Sequence, residues 1–553
     1  MPAAAVSATL SPAVESLLGS MTLDQKVGQV FVFTFNNLTH ALHDLRLHPG
    51  GFIRIYSDAM TAAKQHAELQ ARTELPLLIA ADFERGVGCN VTGAADMVTL
   101  MTLGAAGDED LARRAGRAIA EEAAALGVNM NYVPVLDVNV NDDNPIINTR
   151  SFGGDAALVA RLGAAFIAGH REGGTLTCGK HFPGHGDTAV DSHSNLGAIT
   201  VDRARLDAVE LVPFRAAIAA GVDAIMSAHL LIPCVDPSGL PGTLSRPIMT
   251  DLLRGELGFT GVAVSDALEM GAIARNYGPA EAIVLAFNAG VDQLIMPLDN
   301  ARAVKALRDA VADSRVTEER LDEAVGRILT MKEKQGLLAR DGAGSGGGYT
   351  ARTTDLTDLA ARLDTAEHRA TALDAALAGI TLVHDDPAAP LLPLAPGHKV
   401  AVVTFSNQND GRSHFLLPKT FGDHLAICLP DVTVCHCATL EEHHPHEFGA
   451  RDRALAAAAK ADVIVLGAHV AVVIAQGSIG LESKYLEFLA ELAALGKPTV
   501  LVSFGSPYIG RQVPADAYVC AYGETEAAQQ AAAMLLAGER PFRGTAPVSL
   551  ARP

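Results

Sequence analysis

The chain alternates short runs of consecutive apolar residues with longer stretches whose apolar residues recur at helical spacing. In the first half the short runs are QVFVFTF (29–35), GFIRIY (51–56), LLIAADF (77–83), NMNYVPVLDV (129–138), TLTCGKHF (175–182), AIMSAHLLI (224–232), GVAVSDAL (261–268) and QLIMP (293–297). Runs so short and so uniformly apolar predict strands buried on both faces, as parallel sheets require. Helical patterning separates several of them, at 107–126, 155–170, 204–220, 246–256 and 279–289. Strand and helix in repeated alternation predict an α/β fold, a (β/α)8 TIM-type barrel filling about 1–340.

The pattern then lapses. The stretch DGAGSGGGY (341–349) cannot pack a core and reads as a linker, and 341–395 joins it to connecting helical sequence. A second alternation fills 396–553. Its strands are KVAVVTF (399–405), VTVCH (432–436), DVIVLGAHV (462–470), PTVLVSF (498–504) and AYVCAYG (517–523), with helices at 451–460, 483–495 and 524–537. These predict a smaller, doubly wound α/β/α sandwich domain.

Composition agrees with two folded domains. A chain of 553 residues exceeds what one hydrophobic core supports, and 49% hydrophobic against 19% charged residues excludes general disorder. The net charge of -20 repels phosphate backbones and anionic lipid, so neither nucleic acid nor a membrane is an expected partner. A small neutral or cationic substrate fits better. The opening MPAAAVSATLSPAVESLLGS has no basic leader region, and no run of about 18 apolar residues occurs, which predicts a soluble, cytoplasmic protein.

Seven scattered cysteines, an odd number, suit a reducing compartment rather than a disulfide framework. Cys435-His436-Cys437, followed by His443, His444 and His446, has metal-binding side chains. On a strand-like run, however, neighbours alternate faces, and the paired cysteine spacing of zinc sites is absent. Neither a metal nor another cofactor is expected.

In a parallel barrel the site lies at the carboxyl ends of the strands. Asp82, Asp137, Lys180 with His181, His229 and Asp266 all close apolar runs. Any one alone also reads as a helix cap or a satisfied loop residue. The densest segment is CGKHFPGHGDTAVDSHSN (178–195), which gathers Lys180, His181, His185, Asp187, Asp191 and His193 around Pro183, Gly184 and Gly186. Metal binding by His181 and His185 would need a helix to align them, and the proline and glycines oppose one.

Lys180-His181-Phe182-Pro183-Gly184-His185-Gly186-Asp187-Thr188, then Asp191-Ser192-His193, and Gly261-Val262-Ala263-Val264-Ser265-Asp266 with Met270, resemble glycoside hydrolase family 3, in its β-N-acetylglucosaminidase branch. The resemblance extends through Asn148-Thr149-Arg150-Ser151-Phe152-Gly153 and Leu253–Phe259, and into the second half at Gly505-Ser506-Pro507-Tyr508 and Gly544…Pro547-Val548. It implies a retaining enzyme with Asp266 as nucleophile and His193, held by Asp191, as acid/base. Without the resemblance, Asp191 and His193 read equally as a turn with an exposed imidazole. The resemblance also implies that Asp82, Arg150, Lys180 and His181 hydrogen-bond the sugar, where Arg150 and Lys180 alternatively read as a structural ion pair. His185 and Asp187 read as loop stiffeners.

The departures matter. The family's Asp-Gln-Glu-Gly-Gly-Arg is here Asp82-Phe83-Glu84-Arg85-Gly86-Val87, and Asn90 stands where an arginine is expected. With no tryptophan in the chain, stacking subsites for a long polysaccharide are not expected, so a small terminal glycoside such as a peptidoglycan or chitin fragment fits. Glu482 and Glu524 are rival acid/base candidates that also read as helix-start acids. Phosphorolysis by the same residues, β-glucosidase activity and a non-catalytic sugar-binding barrel remain as alternatives.

Overall fold

The computed structural model describes residues 10–190, 195–339, 354–407, 420–437, 449–470 and 481–550. They divide into two compact units: Met1–Ala95 with Arg113–Val138 and Gly163–Thr365, and Asp96–Ala112 with Asn139–Leu162 and Ala366–Pro553. No helix among the described residues is long and apolar enough to cross a membrane.

The first unit contains an eight-stranded sheet: β1 (Phe31–Phe35), β2 (Gly51–Arg54), β3 (Leu78–Ala81), β4 (Met130–Asn131), β5 (Leu176–Phe182), β6 (Ala224–Ser227), β7 (Val262–Val264) and β8 (Leu294–Ile295). Each pairs in parallel with its neighbour in chain order, and β8 returns to β1. One parallel bridge, Val264 to Gln293, closes the ring between β7 and β8. This is the expected barrel.

Local sequence explains its irregularities. The run 129–138 yields only a two-residue strand, because Pro134 has no N–H for a ladder. Its backbone still tracks β5, with Cys178 N donating to Val133 O and Lys180 N to Pro134 O at 2.9 and 3.1 Å. The segment expected as a helix over 246–256 winds from Pro247 to Glu256 with π geometry, ending where Leu257 N reaches back to Leu252 O. Ordinary helices start on side-chain caps: Asp58 before Ala59–Arg72, Asp299 before Asn300–Ala312 and Thr317 before Glu318–Lys334.

The closing seam is ionic. Asp292, with no solvent exposure, accepts from Ala263 N of β7 at 3.0 Å and pairs with Arg254, Arg320 and Arg327. Burial alone would raise this carboxyl, but the three guanidiniums hold it below its ordinary value. The seam therefore depends on one aspartate.

In the second unit the sheet comprises β9 (Thr381–His384), β10 (Val400–Ser406), β11 (Val432–Cys437), β12 (Val463–His469), β13 (Thr499–Ser503) and β14 (Ala517–Cys520), in the spatial order β9-β14-β13-β12-β10-β11. All neighbours are parallel except β9, which runs antiparallel to β14 along the edge. The doubly wound expectation holds, with β9 added. Helices Ala450–Lys460 and Ser483–Ala493 bury Ala454, Ala458, Tyr485 and Phe488 against this sheet.

Candidate active site

The polar residues that follow the barrel strands gather into clusters at the carboxyl ends. Asp82 begins the loop after β3, and Lys180 lies near the end of β5. The Lys180 ammonium is 2.7 Å from Asp82 Oδ1 and 2.7 Å from Glu84 Oε1. The lysine is 3% exposed and Glu84 17%, whereas Asp82 is 43% exposed. Two carboxylates pair with one buried ammonium, and Asp82 is the more exposed of the two. The ion-pair reading of Lys180 is thus realised.

Asp137 organises the second cluster. Fully buried, it accepts His181 Nδ1–H at Oδ2 (2.7 Å), and at Oδ1 the backbone N–H groups of His181 (3.2 Å) and His185 (2.6 Å). Burial would raise its carboxyl, but His181, with help from His185, holds it below the ordinary value. An ionised Asp137 fixes the proton of His181 on Nδ1, which sets the ring's orientation. His185 is itself buried, its ring centroid 5.8 Å from that of His181. Burial, then the neighbouring His181, pulls its pKa down to about 4, so it stays neutral at pH 7. That suits the expected stiffening role.

Asp266 lies two residues beyond β7, and its Oδ1 accepts from Ala267 N at 2.8 Å. The preceding Ser265 ties the turn to β8, its N–H donating to Gln293 O (2.9 Å) and its hydroxyl accepting from Ile295 N (3.0 Å). From the end of β6, buried His229 donates Nε2–H to Ala267 O (3.0 Å) while Nδ1 accepts from Thr243 Oγ1 (2.7 Å). The carboxylate therefore stands on a turn held from both neighbouring strands. Cys178, inside the barrel, senses the surrounding charges: burial pushes its thiol well up, Lys180 opposes this, and Asp82, Asp223 and Asp266 add to it. Asp82, Lys180 and Asp266 each stand at or just beyond the carboxyl end of a barrel strand.

The remaining expected residues fall elsewhere. Asp191 and His193 lie outside the described residues, as do His443, His444 and His446. Arg150 belongs to the second compact unit, in the turn Asn148–Arg150, where Nη1 donates to Ile146 O at 3.3 Å. Asn90, at the expected arginine position, points its amide at Asp82 O (3.5 Å) and accepts Ser57 N–H on its own carbonyl. Glu482 is an exposed helix-start residue paired with Lys484, whereas Glu524 is nearly buried 3.5 Å from His469. Among the described residues no group of three or more His, Cys, Asp or Glu is placed to hold a metal ion. Sequence reasoning missed Glu84, although its position two residues after Asp82 was the available signal.

Carboxylates, a lysine and histidines gathered at the mouth of a parallel barrel are the equipment of a glycoside-cleaving enzyme. The chain belongs to glycosyl hydrolase family 3, whose N-terminal domain model matches residues 18–331. It is 31% identical, over 97% of its own length and 95% of the relative's, to a β-N-acetylglucosaminidase/β-glucosidase of Cellulomonas fimi. Among solved structures it is similar to a family 3 β-N-acetylglucosaminidase from Paenibacillus sp. str. FPU-7, with TM-score 0.84, 34% identity and coverage of 96% of this chain and 99% of that one. It is also similar to the β-glucoside phosphorylase BglX, with TM-score 0.84, 28% identity and coverage of 99% and 97%.

Proposed function

We propose that the enzyme removes terminal β-linked N-acetylglucosamine from small glycosides with retention, through a glycosyl-enzyme on Asp266. The observation that carries this reading is the Asp266 carboxylate, fixed on its turn at the carboxyl end of β7, the same end of the barrel strands at which Asp82 and Lys180 stand. A retaining enzyme needs one carboxylate to attack the anomeric carbon and a proton donor on the other side of the ring. His193, with Asp191 holding its imidazole, supplies that proton and later takes one from water. Asp82, Lys180 and His181 bind the ring hydroxyls from the barrel, and Arg150 adds a contact from the segment after β4. The lack of tryptophan favours small glycosides, such as peptidoglycan or chitin fragments, as the substrates, and we place the enzyme in the cytoplasm. No cofactor enters the reaction.

Likeness to a β-glucoside phosphorylase over nearly the whole chain supports a second reading, in which phosphate replaces water. One experiment separates them: aryl N-acetylglucosaminide and aryl glucoside are each incubated with and without inorganic phosphate. Free N-acetylglucosamine at a phosphate-independent rate is expected. Sugar 1-phosphate formed at a strongly raised rate would replace hydrolysis by phosphorolysis, and faster turnover of the glucoside would overturn the sugar preference.

A further inference from the structure

The second unit carries a cavity of its own, about 400 Å³ in volume, within the range of small-molecule sites. Its walls include Val383 and His384 of β9, Tyr518 of β14, Leu550, and Tyr508 and Arg511 from the loop between β13 and β14. All of them belong to that unit. Successive residues of a regular strand face opposite sides, yet Val383 and His384 both line the cavity. The reason is a bulge: Leu382 pairs with Val519 and His384 with Tyr518, which leaves Val383 out of register. The loop fixes Tyr518 in turn. Its hydroxyl donates to Pro507 O at 2.6 Å, and its ring lies against Gly510, where a Cβ would stand 2.5 Å from Cε1. Only glycine lets the ring lie so close to the loop backbone.

The walls have a definite chemistry. Apart from His384 and Arg511, every lining residue is apolar or aromatic. Both tyrosine hydroxyls are engaged, Tyr518 with Pro507 O and Tyr508 as acceptor from Asn139 Nδ2 at 2.9 Å. The strongest polar group on the walls is therefore a cation. Arg511 Cζ lies 5.2 Å from the centre of the Tyr508 ring, and its Nη2 pairs with Asp142. A guanidinium has five N–H donors, so this pair leaves others for a second anion. Among the described residues no carboxylate lines the cavity, although the chain's net charge is -20. A flat ring suits the tyrosine and proline faces, and an anionic group on the ring makes charge-assisted bonds to Arg511.

We infer that this cavity binds a small planar carboxylate of the aromatic-acid class, its ring against Tyr518 and its carboxylate on Arg511. None of its residues is assigned to the reaction proposed for the barrel, so the site stands or falls separately. The test titrates 2-naphthoate against the full-length protein by saturation-transfer NMR, with 2-naphthol as the uncharged analogue. Saturable binding of 2-naphthoate with a Kd of roughly 0.1–1 mM is expected, as a ligand of about a dozen heavy atoms reaches that range, and 2-naphthol should bind more weakly. Arg511→Met should weaken 2-naphthoate roughly ten-fold, the worth of one charge-assisted hydrogen bond, and leave 2-naphthol unchanged. Ala515→Phe places a ring on the wall and should abolish binding of both. No saturable binding of 2-naphthoate up to about 10 mM overturns the inference. So does binding that survives Ala515→Phe, since the probe then sits elsewhere. An Arg511→Met protein that holds 2-naphthoate as tightly as the parent, or a parent that prefers 2-naphthol, overturns it as well. The Arg511 side chain is 35% exposed, so Arg511→Met keeps the fold and supplies the answer should Ala515→Phe not fold.

Discussion

The two units bury polar groups of different kinds. Among the described residues every buried aspartate, glutamate, lysine and arginine lies in the barrel unit: Arg54, Glu122, Asp137, Lys180, Glu210, Asp236, Asp292, Arg327 and Lys332. The second unit buries hydroxyls and amides instead, such as Asn139, Asn148, Thr404, Ser503, Ser506 and Gln529, together with His368 and His469. Burying a charge is costly unless partners compensate it, whereas a hydroxyl needs only one hydrogen bond. The barrel uses charge at its mouth, where a reaction needs it, and at its closing seam. The other unit uses neutral, directional bonds, which suit holding a loop in place.

The strongest test of that contrast is to remove a mouth charge that chemistry needs and the fold does not. Asp266→Asn keeps the side-chain volume and removes the nucleophile, so kcat should fall by roughly four orders of magnitude. Its thermal midpoint should stay within about 2 °C of the parent, since Asp266 is half-exposed and the turn is held by Ser265 and His229. A large drop in the midpoint would mean that mouth charges stabilise the barrel as the seam charges do.

Next in size is the seam itself. Asp292→Asn leaves three guanidiniums without their carboxylate at the junction of β7 and β8, and should cost about 3–5 kcal/mol in urea unfolding. A matched change in the second unit, Thr404→Val, deletes one hydroxyl bonded to His436 at 2.8 Å and should cost about 1 kcal/mol. Equal costs would erase the distinction between the units.

How much of this was legible in the sequence follows from the same physics. Strands such as LLIAADF and GVAVSDAL could be read because both faces are buried, so apolar residues run without interruption and the polar residue that ends each run marks the mouth. β9 escaped notice because Leu382, Val383 and His384 are only half-buried on an edge and carry little pattern. Asp82, Lys180, His181 and Asp266 stand at strand ends as expected, but the pairing of Glu84 with Lys180 and the fixing of His181 by Asp137 depend on contacts across 96 and 44 residues. The association of residues 139–162 with Ser506 and Tyr508 spans more than 350 residues, and no local pattern encodes it.

A smaller effect than the loss of the seam charge concerns a buried charge with no place in the reaction. Lys332 has no solvent exposure, and its ammonium donates to the neutral Gln29 Oε1 at 2.7 Å. Burial lowers its pKa from 10.5 to about 7. The unfolded chain therefore binds more protons than the folded one between pH 7 and 10.5, so this lysine's cost to stability is full below 7 and vanishes as pH rises toward 10.5. The barrel histidines act in a lower window. Burial brings His66 to about 3 and His170 and His185 to about 4, so the stability they contribute is complete above 6.5 and lost as pH falls toward 4. Lys332→Met removes the upper window only. It should raise stability by about 2 kcal/mol at pH 6.5, after allowance for the bond lost at Gln29, and the gain should disappear by pH 10. Urea unfolding of both proteins at the two pH values, followed by circular dichroism, decides the matter. A gain that is the same at pH 10 would mean that the lysine never titrates in this range, and a loss at pH 6.5 would mean that Gln29 and its surroundings compensate a buried charge as fully as the arginines compensate Asp292.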